Sequence, residues 1–306
     1  MSMSLIAAQL LNGLQLGILL FLMSAGLTLV MGIMNFANLA HGSLYMIGAY
    51  FAAALYAMTG SFFAAAILAV AGTLVVGLLL ERLLLSRLYG VEDLYQVLAT
   101  FGLILVFNQA VKVIWGQAPV FMSTPDFLSG TVMLFGLSYP SYRFAIIVAG
   151  LLVGLGLYLA INRTRVGMWI RAGASDREMI AALGVNIRLV NTLVFAIGAA
   201  LAGFAGVMAG PILSIQPGMG EPILVLVLVV IVTGGIGSIR GAFYGALVVG
   251  IVDTIGRAFL PAIMRALLDP EIARGAGPAV ASILIYVFMA TVLALKPEGL
   301  FPSKYR

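Results

Sequence analysis

The chain has 306 residues, 63% hydrophobic and 9% charged, against the roughly 25% charged residues of a soluble domain. It therefore reads as an integral membrane protein. It has no cysteine and one histidine, which excludes disulfides, thiolate metal sites, Cys nucleophiles and a His-based metal cluster. The formal charge of +5 does not indicate nucleic acid, because the basic residues flank apolar segments as membrane topology demands.

The N-terminus MSMSLIAAQLLNG lacks a basic flank. The uncharged run behind it exceeds the ~7–15 apolar residues of a signal-peptide core, so a retained first span is expected. A helix needs about 20 apolar residues to cross a bilayer. Nine segments approach this: 8–31, 36–58, 61–81, 94–114, 143–161, 190–210, 221–234, 241–260 and 278–295. Segment 221–234 is short, runs into TGGIGSIRG, and reads as a half-span or re-entrant piece. The expected fold is an all-α polytopic bundle with eight to ten transmembrane segments, some short or broken. One transmembrane domain is expected over 1–306, with a cytoplasmic loop at 162–190.

The stretch MGIMNFANLAHGSLY places Asn35, Asn38, His41, Ser43 and Tyr45 in apolar sequence; the first charged side chain after them is Glu81. On one helix, positions 35, 38 and 41 would drift by about −60° per step. Amides and imidazole surrounded by lipid must face protein or a water-filled cavity. Two readings fit. These side chains cap a broken span and tie it to its neighbours, or they line a translocation route, with Gly234, Gly235 and Gly237 at a second break.

The most informative polar segment is NRTRVGMWIRAGASDREMIAALGVNIRLVN, from 162 to 191. Ser175-Asp176-Arg177-Glu178 fits the S-x-x-E capping box, with Ser175 as cap and Glu178 reaching back. Asp176 adds negative charge at the positive end of the helix dipole. Gly184 supplies the left-handed stop. A helix from Asp176 to Leu183 is predicted, with Met179, Ile180 and Leu183 as its apolar stripe. Two turns are not stable alone, so this helix docks on the chain's own bundle or in a partner.

Further along, Gly198, Ala202, Gly206 and Gly210 recur every four residues and clear one helix face for close packing. Glu221 stands at a span start and reads as interfacial. Asp253 lies four residues before Arg257, and an i,i+4 ion pair is expected. With the N-terminus outside and nine crossings, the inside segments hold Arg82, Arg87, Arg163, Arg165, Arg171, Arg177, Arg188, Arg240, Lys296, Lys304 and Arg306. The outside segments hold Lys112, Arg143, Arg257, Arg265 and Arg274. The excess inside predicts N-out, C-in.

The run R-A-x-x-x-D-x-E-M-x-A-x-L-G-V-N, from Arg171 to Asn186, resembles the coupling loop of ABC importer permeases. The pattern G-L-x-L-x-x-G-x-M-x-x-x-N-x-A-H-G-x-L-Y-M-x-G-A-Y, from Gly26 to Tyr50, narrows the resemblance to the branched-chain amino acid permease family, H-type subunit. TGGIGSIRGAFYGALVVG at 233–250 and KPEGLF at 296–301 agree with it. The resemblance implies a multi-pass subunit of a bacterial inner membrane. Its implied partners are a second homologous permease, two cytoplasmic ATPases and an extracytoplasmic solute-binding protein. The coupling residues would be Arg171, Ser175, Asp176, Arg177, Glu178, Met179, Ala182, Leu183 and Gly184. Met179 and Leu183 would be apolar anchors, and Arg171 and Arg177 rim charges. No cofactor is expected: the chain lacks a G-x-x-x-x-G-K-[ST] loop, so ATP would be used by partner subunits.

Two other classes find fewer of their parts in this sequence. An ion-coupled secondary transporter would need intramembrane carboxylates, and Asp253 is the only one near the middle of a span. An intramembrane enzyme would need a nucleophile with a base, but His41 and Ser43 are two residues apart and point away from each other on a helix.

Overall fold

The computed structural model describes residues 3–134 and 136–301. Lys304 and Arg306, counted above toward orientation, lie outside the described residues. Eleven α-helices are present among them: α1 (Met3–Met34), α2 (His41–Thr59), α3 (Phe62–Leu83), α4 (Asp93–Trp115), α5 (Ser141–Arg163), α6 (Arg165–Ser175), α7 (Arg177–Ala182), α8 (Ile187–Ala209), α9 (Gly220–Gly234), α10 (Ile239–Leu267) and α11 (Pro270–Leu295).

Seven of these, α1, α3, α4, α5, α8, α10 and α11, are long and apolar enough to cross a membrane. α9 has 15 residues and would reach about 22 Å, short of the ~30 Å hydrocarbon core. α2 has 19 residues, but His41, Ser43 and three tyrosines dilute its hydropathy. All nine expected segments are helical. The one beginning at 36 starts later, at His41, because 35–40 leaves the helix.

α1 and α8 form the centre. Their spanning windows are 83% and 72% buried, against 17–28% for the other five, whose apolar outer faces suit lipid or a partner. α10 runs antiparallel along α1, with Gly13 beside Ile251 and Gly32 beside Gly237. The small-residue face of α8 serves two neighbours: Gly198 meets Gly26 of α1, and Gly206 meets the Tyr45 carbonyl of α2.

The all-α expectation needs one small amendment. The 116–140 connection holds an antiparallel hairpin, β1 (Thr131–Leu134) and β2 (Leu137–Pro140), turning through Gly136 at φ +80°. Val120 pairs with Ile215 through two backbone bonds of 2.8 and 3.0 Å, tying this connection to the 210–219 link.

Basic residues collect at the end of the bundle that carries α6 and α7. The other end holds Arg143 and Arg257, with Tyr142 donating to the Met208 carbonyl at 3.0 Å.

Candidate functional site

Two spans, α2 and α9, start inside the bundle, and their first turns meet there. α1 closes at Asn35, whose amide donates to the Met31 carbonyl (3.1 Å) while its φ is +48°. Asparagine tolerates this left-handed conformation better than other side chains do. Asn38 Oδ1 then accepts from the Ala40 amide at 3.0 Å, a local turn that launches α2. His41 Nε2 donates to the Met23 carbonyl at 3.1 Å. Met23 lies about 16 Å back along α1 from Met34. The linker therefore re-enters the bundle before α2 begins.

α9 starts at the same place. A Cβ on Gly220 or Gly42 would overlap the other residue's carbonyl, so these helix starts are in backbone contact. Glu221, expected at an interface, is half-buried at this helix start. Asn108 on α4 holds it, donating through Nδ2 to Glu221 Oε1 while its Oδ1 accepts from the Gly218 amide at 3.1 Å.

A cavity of about 410 Å³ runs from the Arg143 end down to this junction. Its deep wall includes Met23, Tyr45 and Ile223; its outer wall includes Asn12, Arg143 and Arg257. Arg143 Nη1 donates to Asn12 Oδ1 at 2.7 Å, and the Tyr139 hydroxyl donates to the same oxygen at 3.2 Å. Burial raises the Tyr139 pKa, so this hydroxyl keeps its proton and its donor role. The expected Asp253–Arg257 pair is present at 2.8 Å.

Of the proposed pathway residues, Tyr45 lines this cavity. Asn38, His41 and Ser43 are buried in the packing around the break. Positions 35, 38 and 41 do not share one helix, because the chain is non-helical from 35 to 40. Asn35 is exposed, beside the residue that Arg177 contacts. Gly234, Gly235 and Gly237 lie at the α7 end. There the tail folds back, and the Leu300 and Phe301 amides donate to the Thr233 and Gly234 carbonyls at 2.7 and 3.1 Å. KPEGLF thus caps α9. Asn12, Gln15 and Arg143 were missed as cavity residues. The signal available was three amide side chains, Gln9, Asn12 and Gln15, at the start of the otherwise apolar first span.

The 162–190 segment is two helices rather than a loop with one. α6 packs Ile170 and Gly173 inward and ends at Ser175. Ser175 is therefore not the cap of α7. Asp176 is: its Oδ1 accepts from the Glu178 and Met179 amides at 3.0 and 2.9 Å. A carboxylate does this better than a hydroxyl at the positive end of a helix. Gly184 stands at φ +86° as expected. Ile180 is buried, whereas Met179 and Leu183 are 62% and 78% exposed. Glu178, Ala182 and Gly184 are exposed beside them.

Arg171 and Arg177, expected as rim charges, are half-buried and bond within the chain's own bundle. Arg171 donates to the Ile161 carbonyl at the end of α5. Arg177 donates to Asn191 Oδ1 (3.2 Å) and to the Met34 carbonyl (3.5 Å). Next to Asn191, buried Glu81 accepts from Thr192 Oγ1 at 2.9 Å and from the Tyr89 hydroxyl at 3.1 Å. Burial, then the Glu81 charge, raises the Tyr89 pKa, so Tyr89 stays a donor. These groups flank a cleft of about 650 Å³ that includes Arg82, Asn186 and Arg188.

A helical bundle with two interrupted spans, a polar-rimmed cavity at their junction and a capped, exposed helix at one end belongs to the class of membrane permeases. The family described as "Branched-chain amino acid transport system / permease component" matches residues 9–293, and the chain belongs to it. It is 34% identical over 261 residues to the high-affinity branched-chain amino acid transport system permease protein BraD of Pseudomonas aeruginosa, covering 81% of this chain and 85% of that protein. It is 32% identical over 267 residues to the permease protein LivH of Escherichia coli K12, covering 82% and 86%. No solved structure matches the chain.

Proposed function

We propose that this chain is one permease subunit of an ATP-binding-cassette importer for branched-chain amino acids. It sits in the bacterial inner membrane with its N-terminus outside and its C-terminus in the cytoplasm. It forms half of the translocation pathway beside a second, homologous permease. An extracytoplasmic binding protein delivers substrate at the Arg143 end. Two cytoplasmic ATPases consume the ATP, one of them seated on α7; the chain itself uses no cofactor.

The observation that carries this reading is α7. A six-residue helix leaves two large apolar side chains in solvent while its arginine reaches the last residue of α1. Exposed Met179 and Leu183 suit an apolar groove on a partner. The excess of basic residues at that end favours the cytoplasmic side. The pathway follows from the interrupted spans: α2 and α9 start inside the bundle, where membrane transporters place their substrate routes. Asn38, His41, Ser43 and Tyr45 form or brace that junction, and at the other end Gly234 lets α9 pack against Gly241 of α10 while Gly235 and Gly237 make the left-handed turn between them.

The test is reconstitution of this chain with its second permease, ATPases and binding protein in liposomes. ATP-dependent uptake of leucine, isoleucine or valine, absent without the binding protein, is expected. Uptake driven by a proton or sodium gradient without ATP would overturn the proposal.

A further inference from the structure

We infer that the cavity at the Arg143 end holds the transported amino acid as its zwitterion, with Asp253 taking the ammonium group and Arg143 the carboxylate. This rests on the importer reading above and adds a substrate site within the chain itself.

The cavity carries one acid and two bases. Asp253 is 3% exposed and lines the wall. Its Oδ2 is taken by Arg257 Nε, while its Oδ1 is buried and accepts no hydrogen bond among the described residues. A buried carboxylate oxygen with no donor is costly, and turning the carboxylate toward the cavity would let a ligand ammonium supply the donor. Arg257 is committed to Asp253. Arg143 spends Nη1 on a neutral amide oxygen, Asn12 Oδ1, and has no acidic partner among the described residues. A guanidinium held in place by a neutral partner is suited to binding a carboxylate.

The rest of the wall is apolar, with Leu16, Leu19, Ile212 and Ile223 among its residues. That surface suits an aliphatic side chain, and about 410 Å³ lies within the range of small-ligand sites. The charge pattern also discriminates. Neutral urea or an amide would leave the Arg143 charge unanswered. A dicarboxylate would bring its second carboxylate toward Asp253 and leave the unpartnered Asp253 Oδ1 without a donor. A zwitterion with an aliphatic side chain answers every group.

The experiment uses the membrane assembly of both permeases and both ATPases, purified without the binding protein. Displacement of tritiated leucine is measured with 4-methylpentanoate, which lacks the ammonium, and with 3-methylbutylamine, which lacks the carboxylate. Each is expected to compete at least about tenfold more weakly than leucine, the worth of one charge-assisted hydrogen bond. Asp253→Asn should close the gap for 4-methylpentanoate, and Arg143→Gln the gap for 3-methylbutylamine. Should a variant fail to assemble, the wild-type ranking decides: equal competition by leucine and both analogues overturns the inference. So does a variant that keeps the wild-type ranking, or a wild-type assembly that binds no leucine while still importing it with the binding protein present. Absence of ATP-driven leucine uptake by the complete wild-type system would instead overturn the importer reading.

Discussion

His41 Nε2 donates to the main-chain carbonyl of Met23 at 3.1 Å, joining the first residue of α2 to the interior of α1. The bond fixes how deep the second span begins. Its imidazole is 1% exposed and is absent from the cavity wall. His41→Ala therefore removes a buried hydrogen bond and leaves a void. We expect a loss of about 1–3 kcal/mol in stability, read as a lower melting temperature in detergent. The order of preference among leucine, isoleucine and valine should stay the same. A changed order at normal expression would contradict this.

The junction of α2 and α9 depends on a contact that admits no side chain. Gly220→Val would drive methyl groups into the Gly42 carbonyl. The expected result is little or no assembled protein in the membrane, compared with the wild type by fluorescence-detected gel filtration. A well-behaved Gly220→Val protein would show that the two helix starts are not in backbone contact.

The exposed pair on α7 separates assembly from coupling. Met179→Asp or Leu183→Asp changes a surface side chain and should leave membrane insertion intact. Each should abolish ATP-driven uptake by charging the apolar seat, and should cut ATPase co-purification at least about tenfold. Retained substrate-stimulated ATP hydrolysis in either mutant assembly would refute the α7 seat.

Arg177 connects that seat to the end of α1 and to α8. Its two terminal nitrogens reach Asn191 and Met34, on different helices. Arg177→Ala should leave the ATPases bound and hydrolysing while uptake per ATP falls. Arg177→Lys should rescue little, because one ammonium group does not reproduce a planar fork. The ratio of leucine imported to ATP consumed is the measurement. An unchanged ratio would confine Arg177 to a structural role.

The cap assignment can be tested separately. Asp176→Ala removes the acceptor for two amides and should cost about 1 kcal/mol of α7 stability. Ser175→Ala should be neutral, since Ser175 ends the preceding helix. Hydrogen exchange across 176–184 would report both. Faster exchange with Ser175→Ala than with Asp176→Ala would reverse the assignment.

Much of the architecture was legible because membrane spans announce themselves by length and apolarity. The nine segments, the Asp253–Arg257 pair, the α7 helix and its Gly184 stop could all be read from local spacing. The misreadings have a common source. Ser175 and Asp176 are adjacent, and both are good caps. Which of them caps depends on where α6 ends, and the α6 contacts of Ile170 and Gly173 decide that. Arg171 and Arg177 read as rim charges because sequence does not reveal that the Ile161 and Met34 carbonyls lie within reach. Asn35, Asn38 and His41 share a face only if the helix continues, and the left-handed turn at Asn35 ends it.

By itself, the sequence determined the class of protein, the helical segments, the excess of positive charge at one end and the family. These follow from burial and topology rules that act over about twenty residues at a time. Only the tertiary structure decided which polar groups meet. Asn12, Tyr45, Arg143 and Asp253 come from four different segments, and they share one cavity because α1, α2, α5 and α10 converge there. The same packing placed the starts of α2 and α9 in contact, since two glycines let the backbones approach where any larger side chain would hold them apart.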